Sequence, residues 1–170
     1  MSDTPVDPAE AELLLYLGTM VRDAAHMEIT VEALTAHLLA GHDPKATPVQ
    51  GQSLSILVRT CRETALKMPR VDAVQRESLN KLLDRVTDVS LLRNAYVHGG
   101  WARDHDDGSF IAVRGKRGQR DLVAHAVSAD QLVDMIGEIP SVRDGFLWWL
   151  NRDLDALYGP LQNQSGAEPQ

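Results

Sequence analysis

The fold is decided by a long helical pattern that ends in the stretch LLRNAYVHGGW, residues Leu91–Trp101. Upstream of this stretch, apolar residues recur three and four positions apart along one helix face: Leu79, Leu82, Leu83, Val86 and Val89. At about 100° per residue, the same face continues to Arg93 and Val97. The pattern therefore places an arginine where a core residue belongs. Because a buried charge without a partner is costly, we expect Arg93 to meet a partner, a cleft or another subunit.

Two further polar residues lie at the end of this helix. Asn94 and His98 are four positions apart, so their side chains share one edge of the helix. Gly99-Gly100 predicts the helix end, where the helix dipole favours a protonated imidazole. Arg93 and His98 point about 140° apart on an ideal helix. To meet on one phosphate, Arg93 must reach around, the last turn must loosen, or a second copy must supply half the site; this geometry favours a dimer.

The set Arg93-Asn94-x-x-x-His98 at the end of a long helix resembles the R-N-x-x-x-H signature of HEPN domains (higher eukaryote and prokaryote nucleotide-binding). These domains are small helical bundles found in RNases, toxins and CRISPR effectors. The resemblance implies that Arg93, Asn94 and His98 form a composite catalytic site across a two-fold dimer. It also implies RNA products that end in 2′,3′-cyclic phosphate, made without a metal or another cofactor.

The residue types suit that chemistry. Metal-independent RNA cleavage needs a base for the 2′-hydroxyl proton, an acid for the departing 5′-oxygen and a cation for the phosphoryl charge. A histidine can serve as base or acid near neutral pH, so His98 suits either role, while Arg93 offers a permanent bidentate charge to phosphate. Asn94 can orient His98 or a ribose hydroxyl. In the alternative interpretation, Arg93 caps backbone carbonyls and His98 simply ends a helix.

Beyond the motif, the patterns predict a mostly α fold, an HEPN-like four- to five-helix up-down bundle with a small β-hairpin inserted before the last helix. The first helix is expected to bend or break near Glu28–Val31, and the last helix to kink or restart at Pro140. Two strands, Phe110–Arg114 and Asp121–Val127, form the predicted hairpin. The hairpin and the loop before it make up an insertion at residues 104–127.

Length and composition indicate one helical domain over residues 1–170, with an ordered core at 7–158 and a polar, disordered tail at 160–170. The net charge of −7 argues against a protein that coats nucleic acid through bulk charge. The single cysteine, Cys61, excludes an internal disulfide. No apolar run reaches the length of a membrane span, and the acidic N-terminal residues do not resemble a signal peptide. We therefore expect a cytoplasmic protein.

The predicted hairpin turn concentrates positive charge. It carries Arg114, Lys116, Arg117 and Arg120, with no acidic residue between the first and the last. Such local charge in an acidic protein suits contact with an RNA backbone. The alternative is a solvated turn whose basic residues protect the edge strands from pairing with other chains.

Two adjacent tryptophans, Trp148 and Trp149, lie in the last helix and cannot both face one core. One of them is a candidate residue for a dimer interface, and a partly buried surface position within one subunit is the alternative. The acidic run Asp104–Asp107, which includes a histidine, matches no pattern of metal ligands, so no metal site is predicted.

These observations predict a metal-independent endoribonuclease of HEPN type, a toxin or an antiviral defence protein. The expected partners are RNA (single-stranded or tRNA-like), a second copy of the chain, and a cognate antitoxin or nucleotidyltransferase. Some HEPN toxins carry a tyrosine two residues after the histidine, which a nucleotidyltransferase modifies; here that position is Gly100. The alternatives are a non-catalytic HEPN-like module that binds a nucleotide, RNA or a protein, and a helical dimerisation scaffold.

Overall fold

The computed structural model describes residues 7–42, 49–104, 109–115 and 122–158. Within these residues the chain is mostly helical, and a three-stranded antiparallel sheet precedes the last helix. The elements in chain order are α1 (Pro8–His42), α2 (Leu54–Lys67), α3 (Ala73–His98), β1 (Gly100–Arg103), β2 (Phe110–Gly115), β3 (Leu122–Val127) and α4 (Ala129–Tyr158). The predicted mostly α fold with a β insertion before the last helix is confirmed. The predicted tail, residues 160–170, lies outside the described residues.

The sheet contains the predicted hairpin and one strand that the sequence did not predict. β2 pairs with β3 from Phe110↔Val127 to Gly115↔Leu122, and β1 lies on the other side of β2. β1 has only four residues, too few to show a strand pattern in the sequence. Contacts with the rest of the chain hold it. The Trp101 ring lies 6.1 Å from the Phe110 ring, and Trp101 Nε1 donates a hydrogen bond to the Tyr96 carbonyl at 2.7 Å.

The helix break expected near Glu28–Val31 and the restart expected at Pro140 do not occur. α1 runs from Pro8 to His42 without a break at Glu28–Val31, and α4 continues through Pro140. Burial gives the physical reason, because Val31, Ile139 just before the proline and Val142 two residues after it are 1% exposed or less. Packing of these apolar side chains outweighs the weak helix propensity of a β-branched residue and the hydrogen bond that a proline removes.

The chain forms two compact units, residues 1–27 with 85–142 and residues 28–84 with 143–170. Helices α1, α3 and α4 each contribute one segment to the first unit and one to the second, whereas α2 lies entirely in the second. We call them the motif unit and the α2 unit, because the Arg93-to-His98 motif lies in the first. Within the residues that the structure describes, no helix combines the length and hydrophobicity that a bilayer crossing requires.

The α2 unit has an apolar interior. Its fully buried side chains come from all four helices: Val31, Leu34, Leu38, Cys61, Leu79, Leu83, Phe146 and Trp149. Burial raises the pKa of the Cys61 thiol to about 12, so this thiol stays protonated and serves as an apolar packing group. At the start of α3, Asp72 and Gln75 form a capping box in which each side chain accepts the other's backbone N–H at 2.8 Å.

The motif unit packs the sheet and three helix segments around a second apolar interior. Its core includes Met20, Met27, Val86, Ala112, Val127, Leu132 and Ile139. Asp7 accepts the Ala9 backbone N–H at the start of α1 and also pairs with Arg103 of β1 at 2.5 Å. The hydrogen bond from Arg103 lowers the pKa of the Asp7 carboxyl group. The same guanidinium lies 4.5 Å from the centre of the Phe110 ring, so one arginine joins the start of α1 to the sheet.

Candidate functional site

The motif residues lie in the last two turns of α3, which ends at His98 as the sequence predicts. Arg93 and Asn94 are half-buried, and His98 is exposed in the final turn. Between them, Ala95 and Tyr96 are buried. The three motif side chains are therefore all at least partly accessible, and buried residues between them anchor the helix to the motif unit.

The buried face of α3 differs from the predicted one near the motif. Val97, expected on the core face, is 37% exposed, whereas Tyr96 is 3% exposed. The Tyr96 hydroxyl donates to the Ala126 carbonyl at 3.3 Å, so the sheet determines which residue is buried. Seven residues separate Val89 from Tyr96, two turns of helix, and this spacing returns Tyr96 to the same side. The extrapolation to Val97 was wrong because it ignored the sheet that packs here.

Arg93 is neither fully buried nor freely solvated. Its burial lowers the pKa of the guanidinium. An arginine stays charged at neutral pH despite such a shift, so a partly desolvated cation lies at this surface. Electrostatic attraction between this cation and an anion is stronger here than at a fully hydrated position, because water screens it less.

Five residues of α3 form one continuous surface, which we call the terminal face. On an ideal helix they follow one another within an arc of about 160°, in the order Arg93, Val97, Asn94, His98 and Leu91. Two of the five are apolar and exposed, Leu91 at 62% and Val97 at 37%. Asn94 Nδ2 donates to Ser90 Oγ at 3.5 Å, so its amide nitrogen points towards the preceding turn. The terminal face thus combines a cation, an amide, an imidazole and apolar area.

Gly99 explains why α3 stops immediately after His98. Its N–H donates to the Ala95 carbonyl at 2.9 Å. A Cβ at this position would lie 2.4 Å from the Ala95 carbonyl oxygen and 3.2 Å from that of Val113 in β2. Only glycine fits this close approach of helix and strand. The glycine stop that the sequence indicated therefore fixes the position of His98 at the edge of the sheet.

Most of the basic residues of the predicted hairpin turn lie outside the described residues. Arg114 lies in β2, where its Cα is paired with that of Val123. Its side chain, and all of Lys116, Arg117 and Arg120, lie outside the described residues. Their contact with RNA stays a prediction.

The two tryptophans occupy different environments, as neighbouring residues about 100° apart on a helix do. Trp149 is fully buried in the α2 unit, and its Nε1 donates to the Gln75 carbonyl at 3.3 Å. Burial removes Trp149 from the candidate interface. Trp148 is 54% exposed and remains the tryptophan that a partner can contact.

A groove between α3 and α4 in the motif unit was not predicted. This cavity of about 420 Å³ is lined on α3 by Asp88, Val89, Leu92 and Tyr96, and on α4 by Gln131, Asp134, Met135 and Glu138, with Arg85 at one end. The only signal in the sequence was Leu92, an apolar residue that falls beside the core stripe and is 40% exposed. We call this cavity the α3–α4 groove.

A smaller cavity of about 380 Å³ lies in the α2 unit, between α2 and α3. Both of its arginines already have partners within the unit. Arg62 pairs with Asp84 at 2.5 Å, and Arg76 donates to the Val71 carbonyl at 2.7 Å. These contacts favour a structural role for the two guanidinium groups.

No metal-binding cluster is found in the described part of the chain, where no three or more His, Cys, Asp or Glu side chains are grouped to hold an ion. The candidate site is the terminal face of α3, which carries a guanidinium, an amide and an imidazole. Comparison of the chain with protein-family models, with curated proteins and with solved structures found no match.

Proposed function

We propose that the chain is a metal-independent endoribonuclease of HEPN type. The observation that carries the proposal is the shared terminal face, on which Arg93, Asn94 and His98 are all accessible in the last turns of one helix. Val97, which lies between Arg93 and His98 on this face, is an exposed apolar residue. A helix that binds a phosphate between two subunits uses the cation, the imidazole and this apolar surface.

Each motif residue has a role in the proposed reaction. His98 takes the proton of a ribose 2′-hydroxyl, and the resulting oxyanion attacks the neighbouring phosphorus. The bond from phosphorus to the 5′-oxygen breaks, and that oxygen leaves with a proton from the imidazolium or from water. Arg93 stabilises the negative charge that builds on the phosphoryl oxygens. The products are a 2′,3′-cyclic phosphate and a 5′-hydroxyl. Asn94, which is hydrogen-bonded to Ser90, positions the ribose through its free carbonyl oxygen.

A homodimer completes the site. Arg93 and His98 of one copy point about 140° apart, so one phosphate reaches both more easily when the second copy supplies one of them. Leu91 and Val97 expose apolar surface on the same face, which a two-fold partner removes from water. The terminal face therefore serves as interface and catalytic surface together. Trp148, exposed on α4, is a second candidate contact for a partner.

The proposed substrate is single-stranded or tRNA-like RNA. The basic residues Arg114, Lys116, Arg117 and Arg120 supply a local concentration of positive charge for phosphate contacts beyond that of Arg93. An enzyme of this kind acts in the cytoplasm as a toxin or a defence effector. A cognate antitoxin is the proposed means of control, because Gly100 stands where some HEPN toxins have the tyrosine that a nucleotidyltransferase modifies.

The direct test is cleavage of mixed-sequence RNA by the purified protein in EDTA, with assay of 2′,3′-cyclic phosphate ends. We expect His98→Ala to reduce the rate by about 10²- to 10⁴-fold, the usual contribution of a general base. His26→Ala is the matched control, because His26 is also exposed in the motif unit but lies on α1. Equal rates for wild type and His98→Ala would rule out the proposed enzyme.

A non-catalytic RNA-binding module is the second candidate. The half-burial of Arg93 favours it, because a partly covered guanidinium has less reach towards a scissile phosphate. This function predicts RNA binding without turnover in the same assay. It also predicts that Arg93→Ala keeps its affinity, whereas neutral replacements of Lys116 and Arg117 lose it.

A further inference from the structure

The α3–α4 groove has an apolar floor and acidic walls. Val89, Tyr96 and Met135 form the floor and are at most 5% exposed, while Leu92 adds apolar surface at the rim. Asp88 stands on the α3 wall and Asp134 on the α4 wall. A cavity of about 420 Å³ falls within the size range of small-ligand sites.

An ion pair defines one end of the groove. Arg85 Nε donates to Glu138 Oε1 at 2.6 Å, and Arg85 Nη2 donates to Ser141 Oγ at 3.1 Å. This pairing raises the pKa of Arg85 and lowers that of Glu138, mainly through the hydrogen bond between them. Arg85 is therefore already paired with α4 at this end of the groove.

Asp88 and Asp134 lie one helical turn further along the groove. Asp88 is three residues after Arg85 on α3, and Asp134 is four residues before Glu138 on α4, so each is one turn beyond the ion pair on its own helix. Neither carboxylate has a hydrogen bond or ion pair with any residue that the structure describes. One arginine and three carboxylates give the lining a net charge of −2. The groove thus presents two uncompensated negative charges beside apolar surface.

We propose that the α3–α4 groove binds a small aliphatic amine, with the ammonium group between Asp88 and Asp134 and the hydrocarbon chain against Leu92, which is 40% exposed at the rim. The negative lining repels RNA phosphate, so this site is separate from the terminal face. A methylene chain can cover apolar surface such as that of Leu92 while the ammonium group stays at the carboxylates. The inference is independent of the proposed nuclease function.

Hexylammonium is a suitable probe, titrated into the full chain while the methyl NMR signals of Leu92 and Met135 are recorded. We expect saturable shifts of both signals, with a dissociation constant of about 1 mM for so small a ligand. Hexanol tests the apolar contribution and hexanoate tests the charge, and both should bind at least about fivefold more weakly. Equal affinity for hexanol and hexylammonium, or the absence of saturable shifts, would overturn the proposal.

Two variants test whether Asp88 and Asp134 are the carboxylates that bind the ammonium group. Asp134→Asn and Asp88→Asn should each weaken hexylammonium binding by about fivefold, the upper range for one accessible ion pair. Asp130→Asn is the matched control, because Asp130 is exposed on α4 but does not line the groove. Circular dichroism checks that each variant is folded. If all three variants bind equally, the amine is attracted by the net charge of the protein and the proposed site is wrong.

Discussion

The two halves of α3 obey different rules. In the first half, residues 73–84 of the α2 unit, Leu79 and Leu83 are at most 1% exposed, and surface charges pair, as Lys81 does with Glu77 at 2.8 Å. In the second half, residues 85–98 of the motif unit, Leu91 is 62% exposed and Arg93 is half-buried. Leu79 and Leu83 follow the regular core pattern in the first half, although Val74 in its first turn is 75% exposed. The last turns of the second half combine exposed apolar residues with a half-buried cation.

The contrast separates packing from function. Burial of Leu79 and Leu83 accounts for the core side of the first half without reference to any ligand. The second half packs too, but its last two turns leave Leu91 exposed beside Arg93 and His98. Departures from consistent packing are expected at functional sites. The proposed site lies in those last two turns.

The largest expected effect is on the free energy of unfolding and comes from truncating a buried residue in the first half of α3. Leu83→Ala should lower the free energy of unfolding by about 2–5 kcal/mol, because it leaves a cavity in the buried interior. Leu91→Ala, the same truncation two turns later, should change it by less than about 0.5 kcal/mol in the monomer. Urea unfolding of both variants at low protein concentration measures the difference. Similar losses for the two would show that Leu91 is a packing residue and would remove the contrast between the halves.

A smaller effect concerns the end of the second half. Gly99→Ala should lower the free energy of unfolding by about 1–3 kcal/mol, because the new Cβ meets the carbonyl oxygens of Ala95 and Val113. It should also reduce RNA cleavage by moving His98. Gly137→Ala is the control, because a Cβ there meets nothing within 4 Å in α4. It should raise stability by about 0.5–1 kcal/mol. A neutral Gly99→Ala would mean that the helix end is not held against the strand.

Regular, local features could be predicted from the sequence. The mostly α fold, the end of α3 at His98 and the pairing of β2 with β3 all follow from periodicity and glycine. The four-residue strand β1 could not, because its contacts with Tyr96 and Phe110 come from other elements. Tyr96 is buried on the core face where Val97 was expected, and the cause is the same: the contact comes from another element. Whether Trp148 or Trp149 is buried, and where two helix faces leave a groove, depend on packing between segments far apart in sequence.

The central claim is that Arg93 of one copy and His98 of another act on the same phosphate, and mixing two inactive variants tests it most directly. Arg93→Ala and His98→Ala are each expected to be inactive alone. Unfolded and refolded together at equal amounts, half of the dimers are mixed and each carries one intact site, so about a quarter of wild-type cleavage should return. If native mass spectrometry detects mixed dimers and no cleavage returns, while wild type cleaves, the shared site is contradicted.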